Sequence, residues 1–144
     1  MKKERLLLLV LAAAMFTHVM DFMIMMPLGP QLMRLFDISA QEFSLLVASY
    51  TVTAGVSGFF AAFFIDRYDR KKTLLAMYAG FALGTLACAV SPTFSILLLA
   101  RSLSGMFGGV LGALILAIVS DAIPLERRAQ GIGVVMASFG VASV

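Results

Sequence analysis

FSILLLARSLSGMFGGVLGALILAIV, residues Phe94–Val119, contains one charged side chain, Arg101, in an otherwise uncharged and largely apolar run. Its opening, Phe94–Leu99, also reads as a buried strand on β-propensity. The run nevertheless continues, rich in glycine, past the about 20 residues with which an α-helix crosses a hydrocarbon core near 30 Å thick. Backbone N–H and C=O groups find no water in that core, so a helix is predicted throughout. On either side, residues 6–27, 43–65 and 73–91 carry the same signature. Residues 130–144 begin a fifth stretch, expected to be cut short at Val144. The expected fold class is all-α, a polytopic membrane helix bundle.

Composition agrees. Of the 144 residues, 61% are hydrophobic and 13% charged, whereas soluble domains run near 45–50% and 25%. The single Cys88 makes no intramolecular disulfide, and no cysteine and histidine cluster offers a metal site, so neither metal nor cofactor is expected. Pro27, Gly29 and Pro30 are expected to close the first span, Ser91–Pro92 to separate the third from the fourth, and Pro124 to lie before the fifth. The longest hydrophilic connection is then Leu28–Glu42, about 15 residues. Met1–Arg5 followed by LLLLVLAAA also resembles a signal peptide, but the apolar run continues beyond Asp21 and three more spans follow, which favours a retained helix.

Lys2, Lys3, Arg5, Arg67, Arg70, Lys71, Lys72, Arg127 and Arg128 fall on one side of this arrangement, nine of the eleven basic residues. The positive-inside rule makes that side, and the amino terminus, cytoplasmic. Arg101 remains inside span four and Asp21 inside span one. Ionisable groups at such depth are costly unless paired or facing a polar cavity. Asp21 lies about 9 Å of helix from the exit at Pro27, and Arg101 about 10 Å from the entry at Phe94, on the same extracytoplasmic side. The two are expected to face each other or share one cavity, with an interfacial pair that only orients the helices as the alternative. His18, three residues before Asp21, shares its side of the helix. It is read either as a proton relay or as a hydrogen-bonded packing residue.

Asp66, Arg67, Asp69, Arg70, Lys71 and Lys72 form the turn between spans two and three, while Asp121 and Glu126 reach the same level from span four. The acids are expected to accept hydrogen bonds from Arg67 or Arg70, forming a junction that holds in one conformational state and releases in another. Gly105, Gly108, Gly109 and Gly112 give two overlapping GxxxG spacings in span four, a helix-packing signature. Gly55, Gly58, Gly80 and Gly84 add small residues to spans two and three. Met20, Met23, Met25 and Met26, with Phe22, suit either varied apolar ligands or lipid.

These residues carry a resemblance to the amino-terminal part of a major facilitator superfamily transporter, of the kind represented by bacterial sugar-efflux-like permeases and drug:proton antiporters. AFFIDRYDRKK, Ala62–Lys72, resembles the family's loop motif at Asp66, Arg67, Arg70 and Lys71, departing at Ala62 and Asp69, where the family has glycines. LLLARSLSGMFGG, Leu97–Gly109, resembles a second motif in which a membrane arginine, here Arg101, precedes a glycine, here Gly105, by four residues. Gly131, Gly133 and Gly140 resemble the approach to a fifth-span motif whose proline would lie beyond Val144. The resemblance implies proton coupling through Arg101, with Asp21 and His18 near substrate or protons. It also implies a cytoplasmic gate of Asp66, Arg67, Arg70, Lys71 and Asp121, and a bacterial inner-membrane location.

In such transporters two halves of about six spans rock around a central site. The chain is therefore expected to be an amino-terminal fragment, inactive alone, of a proton-coupled exporter of small amphipathic molecules or sugars. Its expected partners are the lipid bilayer, the substrate and protons of the full-length protein, and the missing carboxy-terminal helices. A non-transporting membrane scaffold or assembly subunit is the competing reading. It accounts for the GxxxG spacings but leaves Asp21 and Arg101 without a role. An enzyme is not expected, because the buried polar residues form no nucleophile-plus-base set. The loop's small, mixed charge argues against a nucleic-acid partner.

Overall fold

The computed structural model describes residues 2–142. These form α1 (Lys2–Met23), α2 (Met25–Phe36), α3 (Ala40–Phe64), a 3-10 turn at Ile65–Arg67, α4 (Arg70–Ala89), α5 (Phe94–Ala122) and α6 (Leu125–Ala142), with no strand among the described residues. The last two residues of the expected fifth stretch, Ser143 and Val144, lie outside the described residues. Among the described residues, four segments are long and apolar enough to cross a bilayer: Lys3–Phe36, Ala40–Arg67, Arg70–Ala89 and Phe94–Ala122.

The first helical segment runs further than its prolines predict. Only Ile24 interrupts it, and the Leu28 N–H still bonds the Ile24 carbonyl at 3.3 Å. Pro27 falls in the first turn of α2, where backbone N–H groups lack an intrahelical partner anyway, while Pro30 sits inside the helix. Leu28–Phe36 is thus helical, and the real connection is the three residues Asp37–Ser39. Gly29 serves packing: a Cβ there would meet the Phe43 ring at 2.9 Å, so glycine lets α2 close onto α3. Asp37 ends α2 in the left-handed region, with φ 51°, which aspartate tolerates better than most residues. Ser39 then opens α3 with a capping box: its amide donates to Glu42 Oε2 at 2.8 Å, and its Oγ accepts from the Glu42 amide at 3.3 Å.

Two more caps fix the remaining starts. Asp69 Oδ1 accepts the Lys72 amide at 2.9 Å ahead of α4, and Thr93 Oγ1 accepts the Ile96 amide at 3.4 Å ahead of α5. Helix α5 is the hub, packed along α3 and α4 and touching α1 and α6. Its Leu111, Leu114, Ile115 and Val119 are fully buried together with Leu11 of α1 and Val135 of α6. A second cluster, Met25, Leu46 and Leu97, joins α2, α3 and α5 near the opposite end.

Candidate functional site

Arg101 lies seven residues into α5 and is 1% exposed. Its Nη1 donates to Asp21 Oδ2 at 2.8 Å and to the Asp21 backbone oxygen at 3.3 Å. The side chains are 2% and 10% exposed, so this ion pair is shielded from solvent. Thr85 of α4 donates its hydroxyl to Asp21 Oδ1 at 3.1 Å, so one carboxylate ties α1 to both α4 and α5. From α3, Tyr50 supplies a floor: the guanidinium carbon stands 4.4 Å from its ring centroid. Arg101 Nε and Nη2 are buried without a hydrogen-bond partner among the described residues. Cation–π attraction, worth about 2 kcal/mol when desolvated, offsets part of that cost.

His18 reaches the pair through Tyr50. Its Nδ1 lies 3.0 Å from the Tyr50 hydroxyl, and its ring meets Phe81 edge-on at 5.6 Å. Among the described residues no hydrogen bond joins His18 to Asp21, although both occupy one side of α1. The resulting chain runs from His18 to Tyr50, across the ring to Arg101, then to Asp21 and Thr85, drawing on every helix from α1 to α5 except α2. Tyr50 is its centre, and sequence reasoning missed it. The available signal was a phenol placed mid-span, where a buried hydroxyl needs a partner.

The overlapping glycine spacings divide between two neighbours. A Cβ on Gly105 would collide with the Tyr50 carbonyl and Thr53 Oγ1, and one on Gly109 with the Ala54 carbonyl, so this pair lets α3 and α5 approach backbone to backbone. Gly108 instead leaves room for the His18–Tyr50 contact, its Cβ position being 2.6 Å from the Tyr50 hydroxyl and 2.8 Å from His18 Cε1. Gly112 faces His18 Nε2 at 3.8 Å. The methionines do not form one surface: Met25 is buried, whereas Met20 and Met26 are exposed. Phe22 packs on Tyr50, with centroids 5.5 Å apart.

At the other end of the bundle, Arg70 gathers the acids. Its Nη2 donates to Asp66 Oδ1 at 2.7 Å, its Nε to Asp121 Oδ2 at 3.0 Å, and its Nη1 to the Ile65 carbonyl at 3.3 Å. One guanidinium therefore clamps the 3-10 turn and α4 to the end of α5. Among the described residues no ion pair joins Arg67 to these acids; its guanidinium stands 5.8 Å from the Phe64 ring centroid. Lys71 lies beside Arg70 along the groove between α4 and α1. Arg127 of α6 pairs with Glu4 of α1 at 3.3 Å. Among the described residues, no group of three or more His, Cys, Asp or Glu side chains could hold a metal.

Comparison with known proteins adds to this geometry. Residues 11–144 match the family described as Major Facilitator Superfamily. The chain belongs to the major facilitator superfamily. Among its superfamily relatives, the uncharacterized MFS-type transporter YhcA of Bacillus subtilis is 32% identical over 98% of this chain and 26% of that protein. The multidrug resistance protein Stp of Mycobacterium tuberculosis is 30% identical over 96% of the chain and 26% of its own length. A vacuolar membrane amino acid uptake transporter of Schizosaccharomyces pombe, fnx2, is 36% identical over 56% of the chain and 14% of its length. The chain thus spans about a quarter of the first two relatives. It is an all-α, multi-pass membrane protein of the superfamily.

The structure also accounts for one departure from the superfamily's loop pattern. Asp69 adopts φ −60° and ψ 119°, a conformation open to any residue, and caps α4. Glycine is not required there.

Proposed function

We propose that this chain forms the amino-terminal part of a proton-coupled exporter of small amphipathic molecules or sugars, set in a bacterial inner membrane with its amino terminus cytoplasmic. The observation that carries the reading is the Asp21–Arg101 pair, buried across two apolar helices at 2.8 Å. Such a pair contributes little to stability beyond what apolar packing would supply. Buried ionisable groups in membrane helices commonly mark ion and substrate pathways. A proton taken up on the Asp21 carboxylate removes its negative charge and loosens the tie between α1 and α5. Arg101 stays held by the Asp21 carbonyl and the Tyr50 ring, ready to re-form the pair when the proton leaves. His18, bonded to the same tyrosine, senses the rearrangement.

The Arg70 clamp on Asp66 and Asp121 would steady the cytoplasmic end in the state closed to that side. Lys71 and Arg67 add positive charge there. The multidrug resistance relative supports export, and the positive-inside count supports the orientation. The scaffold reading loses its main feature, because Gly105, Gly108, Gly109 and Gly112 all face helices of this same chain.

Everted vesicles carrying the full-length protein test the proposal. Adding a transported amphipathic compound to vesicles holding an imposed pH gradient is expected to dissipate that gradient faster than in vesicles without the protein. No compound-dependent proton flux across a broad panel of amphipathic molecules and sugars would contradict it.

A further inference from the structure

Helices α3 and α4 both lie on α5, and an apolar groove remains between them beside the 65–72 turn. At the turn end it holds about 450 Å³ and is walled by Phe64, Tyr68, Lys72 and Met77, with Val110 and Ala76 also lining it. It meets a second hollow of about 490 Å³ along α3 and α5, sharing Ala61, Phe64 and Val110 and reaching Val52. From Phe64 back to Val52 the helix rises about 18 Å, slightly more than one leaflet's share of a core near 30 Å thick.

The mouth of this groove carries mixed charge, with two acids occupied and two cations left over. Asp66 is tied to Arg70, and Asp69 accepts the Lys72 backbone amide. Among the described residues no ion pair engages Lys72 or Arg67. Lys72 lines the groove itself, and Arg67 rides on Phe64, one of its walls. Tyr68, 65% exposed, puts an amphipathic ring at the same level, the placement aromatic residues favour at a membrane–water interface. The groove between α1 and α4 has Arg70 at its mouth, but that cation is already paired with both Asp66 and Asp121.

We propose that the α3–α4 groove seats one anionic phospholipid, its phosphate held by Lys72 and Arg67 and an acyl chain lying over Ala61, Ala76 and Val110. Basic side chains near the surface attract anionic lipids by about 1 kcal/mol each, or about fivefold in affinity. A ligand in this place abuts the segment that carries Arg70, so its occupancy would bear on the clamp between the turn and α5. Only the choice of leaflet rests on the orientation proposed above.

The test is lipid retention by the purified full-length protein in detergent, measured by native mass spectrometry with phosphatidylglycerol or phosphatidylcholine added. Wild type is expected to retain phosphatidylglycerol over phosphatidylcholine. K72Q is expected to lower phosphatidylglycerol retention about fivefold, and R67Q to act in the same direction. A76F fills the groove from an exposed position on α4 and should lower retention of both lipids. K71Q, which removes the same charge on the other side of α4, should leave retention close to wild type. Equal retention of the two lipids by wild type, or an equal loss in K71Q, would overturn the assignment. So would unchanged retention in A76F, or a cross-link from position 76 to a protein segment in place of lipid. Retention is read without substrate or pH gradient, so failure of the transport reading leaves this result intact.

Discussion

Removing the charge on Asp21 should cost more stability than removing the charge on Arg101, even though both changes break the same 2.8 Å contact. In D21N the guanidinium stays buried with no counter-charge, two of its nitrogens already lack partners, and it cannot shed its proton. Breaking a buried pair in this way costs about 3–5 kcal/mol. The asparagine oxygen still accepts one hydrogen bond, which puts the expectation at about 3 kcal/mol. In R101M the orphan is a carboxyl group, which can bind a proton and keep the Thr85 hydroxyl at 3.1 Å. The methionine fills much of the arginine's volume, so the loss should be about 1–2 kcal/mol, part of it the Tyr50 cation–π contact. The double variant leaves no buried charge and should fall below the sum of the singles by at least about 2 kcal/mol. Equilibrium unfolding of all four proteins in mixed micelles gives the cycle. Additive losses, or a larger loss in R101M than in D21N, would refute the view that Asp21 is the partner that neutralises Arg101.

Three further outcomes follow from local geometry. G109A should destabilise by more than about 2 kcal/mol, because its Cβ would run into the Ala54 backbone, whereas G55A, with nothing within 4 Å, should be neutral or slightly stabilising by the same unfolding assay. D69A should cost about 1 kcal/mol through loss of the α4 cap, and D69G only a few tenths, read as the difference in unfolding midpoint. Y50F keeps the ring under Arg101 but loses the 3.0 Å bond to His18; about 1 kcal/mol of stability should go, with a change in the histidine ring's NMR shifts.

How much of this was legible beforehand depended on whether axial position or rotation about the axis was at issue. Axial position came from charge-free runs, and the matched depths of Asp21 and Arg101 followed from 1.5 Å per residue. Rotation was not readable, because lipid and protein core are both apolar and an apolar helix surface does not say which side faces which. Hence Tyr50 was missed, the two GxxxG pairs could not be assigned to different neighbours, and the residues alone left Arg67 and Arg70 both open as partners of Asp121, with Arg70 favoured only through the family resemblance. Arg70, from the first turn of α4, reaches Asp121, whereas Arg67 lies in the 3-10 turn against Phe64. The prolines misled for another reason. Pro27 looked like a stop but falls where a helix start already has free N–H groups, so the chain resumes its helix through Phe36.

In the proposed exporter, Asp21 carries the coupled proton beside Arg101. In proteoliposomes holding the full-length protein, D21N should retain substrate exchange down no gradient while losing substrate movement driven by an imposed pH gradient. Wild-type pH-driven transport in D21N would contradict it.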